Sequence, residues 1–413
     1  MRPRTAKRIP ADAEKLVGLS LALYASGSRV EDRFWENRLD ALLTRLLRAG
    51  QQPTLDAALD QLQQKHAEAY GALADLAETQ SESVQIEHEG QLWDVVLVAA
   101  PILAWTRFLI PSGPLKRDAL DAIANQFQAH LAAAGTRVAL VPYLYSIDQL
   151  PRAHTDAFRL TQQLAQSALS GAPPRVGSGG MPESAPILAD PRFLLGVIAA
   201  PAGAALFHWQ ETGSGSDEAA RGQRIERVHC LEQWRDQAGP TLANVLPGCE
   251  FECLLPDAYH SACRDADERI RPHTIRTAVR YLEETLQTSA SELRAVVGGF
   301  GEQHVDEYRV GFTRRGSNAV LYGVVWPLYG RESDAEADAA ALQEGDGPPP
   351  DAPLEAIVGL LRETGVTDIR RHPGRFDPDY CEDCGVPLYA DPVGEVVHAE
   401  MPEDAEPAQQ HFH

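Results

Sequence analysis

Cysteine is scarce in this chain: six residues in 413, too few and too scattered for a disulfide scaffold, so a CxxC pair reads as metal or redox chemistry. Long apolar runs are also missing, with none approaching the ~18 uninterrupted residues of a membrane helix. An HExxH zinc motif, a Walker loop, a nucleophile elbow and a dinucleotide fingerprint are all absent. The GSGG at 177–180 lacks the Lys-Ser/Thr that a phosphate loop requires. Basic residues thin out along the sequence. Residues 1–80 balance 11 basic against 11 acidic side chains, residues 81–330 carry 21 against 28, and residues 331–413 carry 5 against 20. That acidic end repels phosphate backbones, so no nucleic-acid partner is expected. The start, MRPRTAKR, is basic and precedes the apolar run LVGLSLALYAS. Asp12 and Glu14 between them argue against a signal peptide, and the cytoplasm is the expected compartment.

What is present fits a soluble α/β protein with a mixed sheet. Residues 1–80 read as a helical region, with Leu39, Leu42, Leu43, Leu46 and Leu47 forming a helical stripe, Gly50 ending that helix and Thr54 capping the next. Between the first two helices, ASGSRVEDRFWE predicts a corner at which Phe34 and Trp35 dock on the body. Near residue 84 the period changes to that of strands. Residues 81–170 then read β-α-β-α, and residues 185–330 repeat the order: FLLGVIAAPAG matches VVLVAAPILA in character at an offset of 100 residues, and Pro256 falls where Pro142 falls. A helix over 260–288 is expected to break at Pro272, and an antiparallel hairpin ends the second unit. An acidic, Pro-rich linker over 331–352 leads to a tail over 353–413.

Two clusters carry candidate chemistry. In the tail, CEDCG places Cys381 and Cys384 where one tetrahedral metal could be clamped, with Gly385 suited to the left-handed turn that follows. If DPVG closes a hairpin, Ala390 lies near Glu395 and Pro387 opposite His398, which makes His398 the third ligand. His372, or His411 and His413 in the terminal HFH, could supply a fourth. Structural zinc, a metal-free remnant and a redox pair all remain open. The redox reading is disfavoured because Glu382 and Asp383 should raise the thiol pKa values. In the core, Tyr143, Tyr145 and Asp148 in one copy and Asp257 and Tyr259 in the other fall near the ends of equivalent strands and predict a ligand pocket. His260 with Asp257 or Cys263 is the catalytic alternative, for a hydrolase or transferase. Arg264, Arg269, Arg271 and Arg276 are expected to pair with neighbouring acids on a solvated face.

The stretches ASGSRVEDRFWE, PDAYHSACRDADERIRP, GFTRRGSNAVLYGVVWPL and CEDCGVPLYADPVGEVVHAEMPED together resemble an uncharacterised bacterial family of about this length. The resemblance implies a bacterial cytoplasmic protein folded as one unit with its tail, and brings no activity and no catalytic residue. The leading functional expectation is therefore a non-catalytic module that binds a small molecule or a protein, with a structural zinc in its tail. A hydrolase or transferase and a purely structural adaptor are the alternatives.

Overall fold

The computed structural model describes residues 9–174, 181–182, 184, 187–211, 226–302, 304–328 and 352–402. The GSGG at 177–180, residues 331–351 of the acidic segment, and His411 and His413 lie outside the described residues. Among the described residues no helix is long and apolar enough to cross a membrane.

Four helices open the chain: α1 (Ala11–Tyr24), α2 (Arg29–Arg48), α3 (Gln52–Lys65) and α4 (Ala67–Glu82). The leucine stripe of α2 is buried against Leu16, Leu55, Leu62 and Leu73. Ser28 caps α2, its Oγ accepting from the Glu31 N–H at 3.3 Å, while Glu31 Oε2 accepts from the Gly27 N–H. Two expectations need correction here. Thr54 is buried inside the first turn of α3 rather than capping it, because Pro53 lets the helix begin earlier, at Gln52. Phe34 does not dock: it is 48% exposed on α2, with the Arg38 guanidinium 3.8 Å from its ring centre.

A seven-stranded sheet follows: β1 (Ser83–His88), β2 (Gln91–Trp105), β3 (Gly113–Pro114), β4 (Arg137–Ser146), β5 (Ala189–Pro201), β6 (Glu250–Cys253) and β7 (Asp257–Ala258). The order is β1-β2-β5-β4-β3, with β6 and β7 also on β2, and every pairing is antiparallel. Helices α5 (Arg117–His130) and α7 (Arg227–Val245) cover one face through Phe127 and Trp234. The other face is covered by α6 (His154–Ser170) and the first half of α8 (Tyr259–Leu286). With both faces covered, β2 and β5 are apolar almost throughout rather than alternating, which is why they read as buried strands.

The hairpin after α8 does not extend this sheet. It builds a second one from β8 (Leu293–Phe300), β9 (Glu307–Arg314), β10 (Tyr322–Pro327) and β11 (Asp368–Phe376), in the order β10-β9-β8-β11, and β11 runs parallel to β8. The sheets of the molecule are thus mixed, with the parallel pairing in this second unit. α8 is continuous through Pro272, where a break was expected. Before the proline it packs on the first sheet, and beyond it Ile275, Val279 and Leu282 join the core of the second with Ile357 and Leu361 of α9 (Ala352–Glu363).

The last two strands among the described residues, β12 (Tyr389–Ala390) and β13 (Val396–Val397), form a small hairpin. It is packed onto the second sheet. Gly311 and Gly323 are cross-strand partners, and the buried Tyr389 ring occupies the slot they leave; a Cβ on Gly323 would lie 2.1 Å from that ring.

Candidate metal centre

The hairpin brings Cys381, Cys384 and His398 together, their ligand atoms all within 4.8 Å of one another. Local chemistry explains how. Tyr380 and Pro387 form an antiparallel bridge, the Cys381 N–H donates to the Val386 carbonyl at 2.9 Å, and the Gly385 N–H returns to the Cys381 carbonyl at 2.8 Å. Gly385 takes φ 73°, the left-handed conformation that lets the loop close with both sulfurs on one side. At the far end Asp391 Oδ1 accepts from the N–H groups of Val393, Gly394 and Glu395 at 2.8–2.9 Å, which pins the DPVG turn. The register is Ala390 opposite Val396, one residue from the expected pairing. His398 therefore continues the ladder at the level of Leu388 rather than Pro387, and still reaches the thiols. The Asx turn takes up the extra residue.

Cys384 Sγ lies 3.3 Å from His398 Nε2. Two thiolates and an imidazole around zinc, with bonds of about 2.3 and 2.0–2.1 Å, would set that separation at ~3.5 Å. The donor set and spacing fit such an ion. His398 Nδ1 is buried and makes no hydrogen bond among the described residues; Glu400 Oε1 stands 3.6 Å from it, where a carboxylate can orient a ligating ring. The N–H groups of Cys384 and then Asp383 hold the Cys381 thiol below its usual pKa and outweigh the opposing charge of Asp383. This corrects the expectation that the intervening acids would dominate: backbone donors reach the sulfur, whereas the Asp383 carboxylate acts only through its charge. The structure does not bring His372 to the cluster. Its Nε2 is 2.8 Å from the Asp391 carbonyl and its ring packs edge-on against Phe376.

Arg309 on β9 holds to the sheet the hook formed by the Cys381–Cys384 knuckle and the hairpin that carries His398. It is fully buried, and its Nη1 donates to the carbonyls of Asp379 at 2.7 Å and Leu388 at 2.6 Å, the residues bracketing the knuckle. Its Nε pairs with Glu307 Oε1 at 2.6 Å, Nη2 has no hydrogen-bond partner among the described residues, and the guanidinium lies 5.0 Å from the Tyr380 ring centre. Sequence reasoning missed Arg309 because a single Arg in an alternating strand carries no local signal.

The sequence-predicted core pocket is arranged differently. Tyr145 and Tyr259 lie in the core, and the Tyr259 hydroxyl donates to the Pro151 carbonyl at 3.0 Å, which joins the start of α8 to the loop after β4. Tyr143 packs on Tyr145, their ring centres 4.8 Å apart. Asp148 pairs with Arg152 at 3.0 Å. Asp257 pairs with Arg227 and lines a groove of about 360 Å³ with Asp265 and Arg269. His260 turns away from Asp257: its Nε2 is 2.9 Å from Ser81 Oγ, and its backbone N–H donates to Glu82 Oε2 at 2.8 Å. Burial drives the His260 imidazole down to about 3 and the Cys263 thiol up to about 12, so the ring is neutral and the thiol protonated at neutral pH. Ser81 and Glu82 are some 180 residues from His260 in sequence, and no local pattern could have paired them. The helical arginines pair as ions: Arg269 with Asp265 and Arg271 with Asp267 within α8, but Arg264 with Glu78 of α4 and Arg276 with Glu363 of α9.

No curated protein and no solved structure matches the chain. Residues 1–412 match a family model described as a protein of unknown function, DUF2863. Spanning all but one residue of the sequence, that match means the chain belongs to the DUF2863 family of about 400-residue proteins with no assigned activity.

Proposed function

We propose that this is a non-catalytic binding module whose tail is clamped by one structural zinc ion held by Cys381, Cys384 and His398. The convergence of two sulfurs and one imidazole nitrogen within 4.8 Å carries the reading. Zinc is favoured over harder cations because two thiolates are soft ligands, and over redox use because three convergent donors suit coordination. When bound, the ion supplies a cross-link between knuckle and hairpin. Cys381 and Cys384 bind as thiolates, His398 through Nε2, and Glu400 steadies the opposite ring nitrogen. The packing of β11, α9 and the hairpin on the second unit supports a tail that belongs to the folded body. The order strand–helix–strand–helix occurring twice around the central sheet supports the duplicated unit read from sequence.

The catalytic alternative has less support. His260 and Cys263 are both held in their neutral forms by burial, and His260 bonds to Ser81 rather than to Asp257 or Cys263.

Elemental analysis of protein purified under reducing conditions without chelators is expected to give about one zinc per chain. The Cys381→Ser, Cys384→Ser double variant is expected to give none while keeping the wild-type far-ultraviolet circular dichroism. Zinc retained by that variant would place the ion elsewhere and overturn the assignment.

A further inference from the structure

A cleft of about 590 Å³ opens between the first sheet and the second unit. Its walls are the end of β2 and the loop beyond it, the loop entering β6, and the half of α8 that follows Pro272. That volume lies within the ~300–1,000 Å³ of small-molecule sites, which favour boundaries between packed units.

Trp105 and His273 form one wall. Their rings are stacked with centres 4.0 Å apart and planes 22° from parallel. Burial lowers the His273 pKa, which favours the neutral ring, and a neutral flat pair presents π-faces rather than charge. Trp105 cannot rotate freely, because its Nε1 donates to Glu250 Oε2 at 2.9 Å.

The charges around the cleft are unequally engaged. Glu250 accepts from Trp105, Glu283 from the Ala290 N–H at 2.8 Å, Glu284 from Arg107 at 3.0 Å, and Glu363 at the rim from Arg276 at 3.2 Å. Each carboxylate already has a donor, so an incoming cation would have to displace one. Arg280 is the exception among the cations: it lines the cleft, is exposed, and makes no ion pair or hydrogen bond among the described residues. A free guanidinium fork recognises carboxylate or phosphate oxygens in a bidentate manner.

From these observations we infer that the cleft binds a small ligand made of a planar ring and one anionic group, with the ring against the Trp105–His273 wall and the anion on Arg280. The inference rests on the reading of the protein as a binding module and names where and what it binds. It requires nothing of the metal hook. A zinc-free Cys381→Ser, Cys384→Ser protein should therefore bind as the wild type does, so failure of either proposal leaves the other standing.

Calorimetric titration of the full-length protein tests it with two probes that share this chemistry. Adenosine monophosphate carries a phosphate and indole-3-acetate a carboxylate. Adenosine supplies the ring alone and ribose 5-phosphate the anion alone. Saturable binding of at least one probe below about 1 mM is expected, at least tenfold tighter than the matching single-feature control. Which probe wins assigns the anion. Arg280→Gln, on an exposed position, should weaken the winning probe about tenfold or more without shifting the melting temperature, and Trp105→Phe should weaken it less than Trp105→Ala. Absence of binding by both probes up to about 10 mM overturns the proposal, as does an Arg280→Gln protein that binds like the wild type.

Discussion

Replacing Arg309 with methionine is expected to lower folding stability by about 3–5 kcal/mol and metal affinity at the hook by about 10- to 100-fold. The stability loss follows from what the arginine leaves behind. Glu307 would remain partly buried without its partner, and the carbonyls of Asp379 and Leu388 would lose their donor against the sheet. The affinity loss follows from position: those carbonyls flank the loop that carries Cys381 and Cys384, so releasing them frees the ligands to spread. Lysine at this position keeps the charge but offers no planar fork, and should recover only part of both quantities. Urea unfolding with and without chelator, together with competition against a chromophoric chelator, separates the effects. Cys381→Ser should lose metal but keep the chelated protein's stability, whereas Arg309→Met should lose both. An Arg309→Met protein as stable as wild type in chelator would mean that the hook is not anchored through this residue.

The second large effect is on acid stability, and it arises where the N-terminal helices meet the sheet. His260 of α8 faces Ser81 and Glu82 of α4, His154 of α6 and Arg264 of its own helix, and Glu78 of α4 pairs with that arginine. Burial first, then His154 and Arg264, hold its pKa near 3, far below the ~6.5 of an exposed imidazole. The folded state therefore excludes a proton that the unfolded chain takes up below pH ~6.5, so His260 costs stability as the pH falls from there towards 3, by up to ~1.4 kcal/mol per pH unit. Glu82 works in the opposite sense. Burial raises its carboxyl to about 7, so the folded state keeps a proton that the unfolded chain sheds above ~4.5, and stability is lost as the pH rises from 4.5 through 7. Between pH ~4.5 and ~6.5 the two slopes cancel, and below 4.5 the histidine acts alone. Comparing wild type with His260→Gln across pH isolates the histidine from every other titrating group. The wild type should lose stability relative to the variant throughout pH 6.5 to 3. A difference that does not change with pH would show that His260 is not held neutral.

Much of the fold was legible because local pattern and burial agree. The α2 leucines form a helical stripe that packs as one, and β2 from Val95 and β5 from Phe193 are apolar without a break, as suits strands covered by helices on both faces. Interactions distant in sequence were hidden. Nothing local tells the hairpin over 307–327 to recruit Asp368–Phe376 as a parallel neighbour of β8 instead of joining the first sheet. Pro272 signalled a break, yet α8 passes through it, since one missing N–H is tolerated where the helix moves from one core to the other. At the hook, residue types and spacing singled out the three side chains that the structure brings together, Cys381, Cys384 and His398, while the register was off by one because the Asx turn at Asp391 could not be counted from sequence. His372 had a suitable residue type, but its ring is committed to the Asp391 carbonyl.

X-ray absorption at the zinc edge of the purified full-length protein reads the ligand shell of the ion itself. Two sulfur scatterers at about 2.3 Å and nitrogen or oxygen at about 2.0–2.1 Å are expected, including an imidazole signature that His398→Ala removes. A first shell of nitrogen and oxygen alone, or one unchanged in the Cys381→Ser, Cys384→Ser variant, would contradict it.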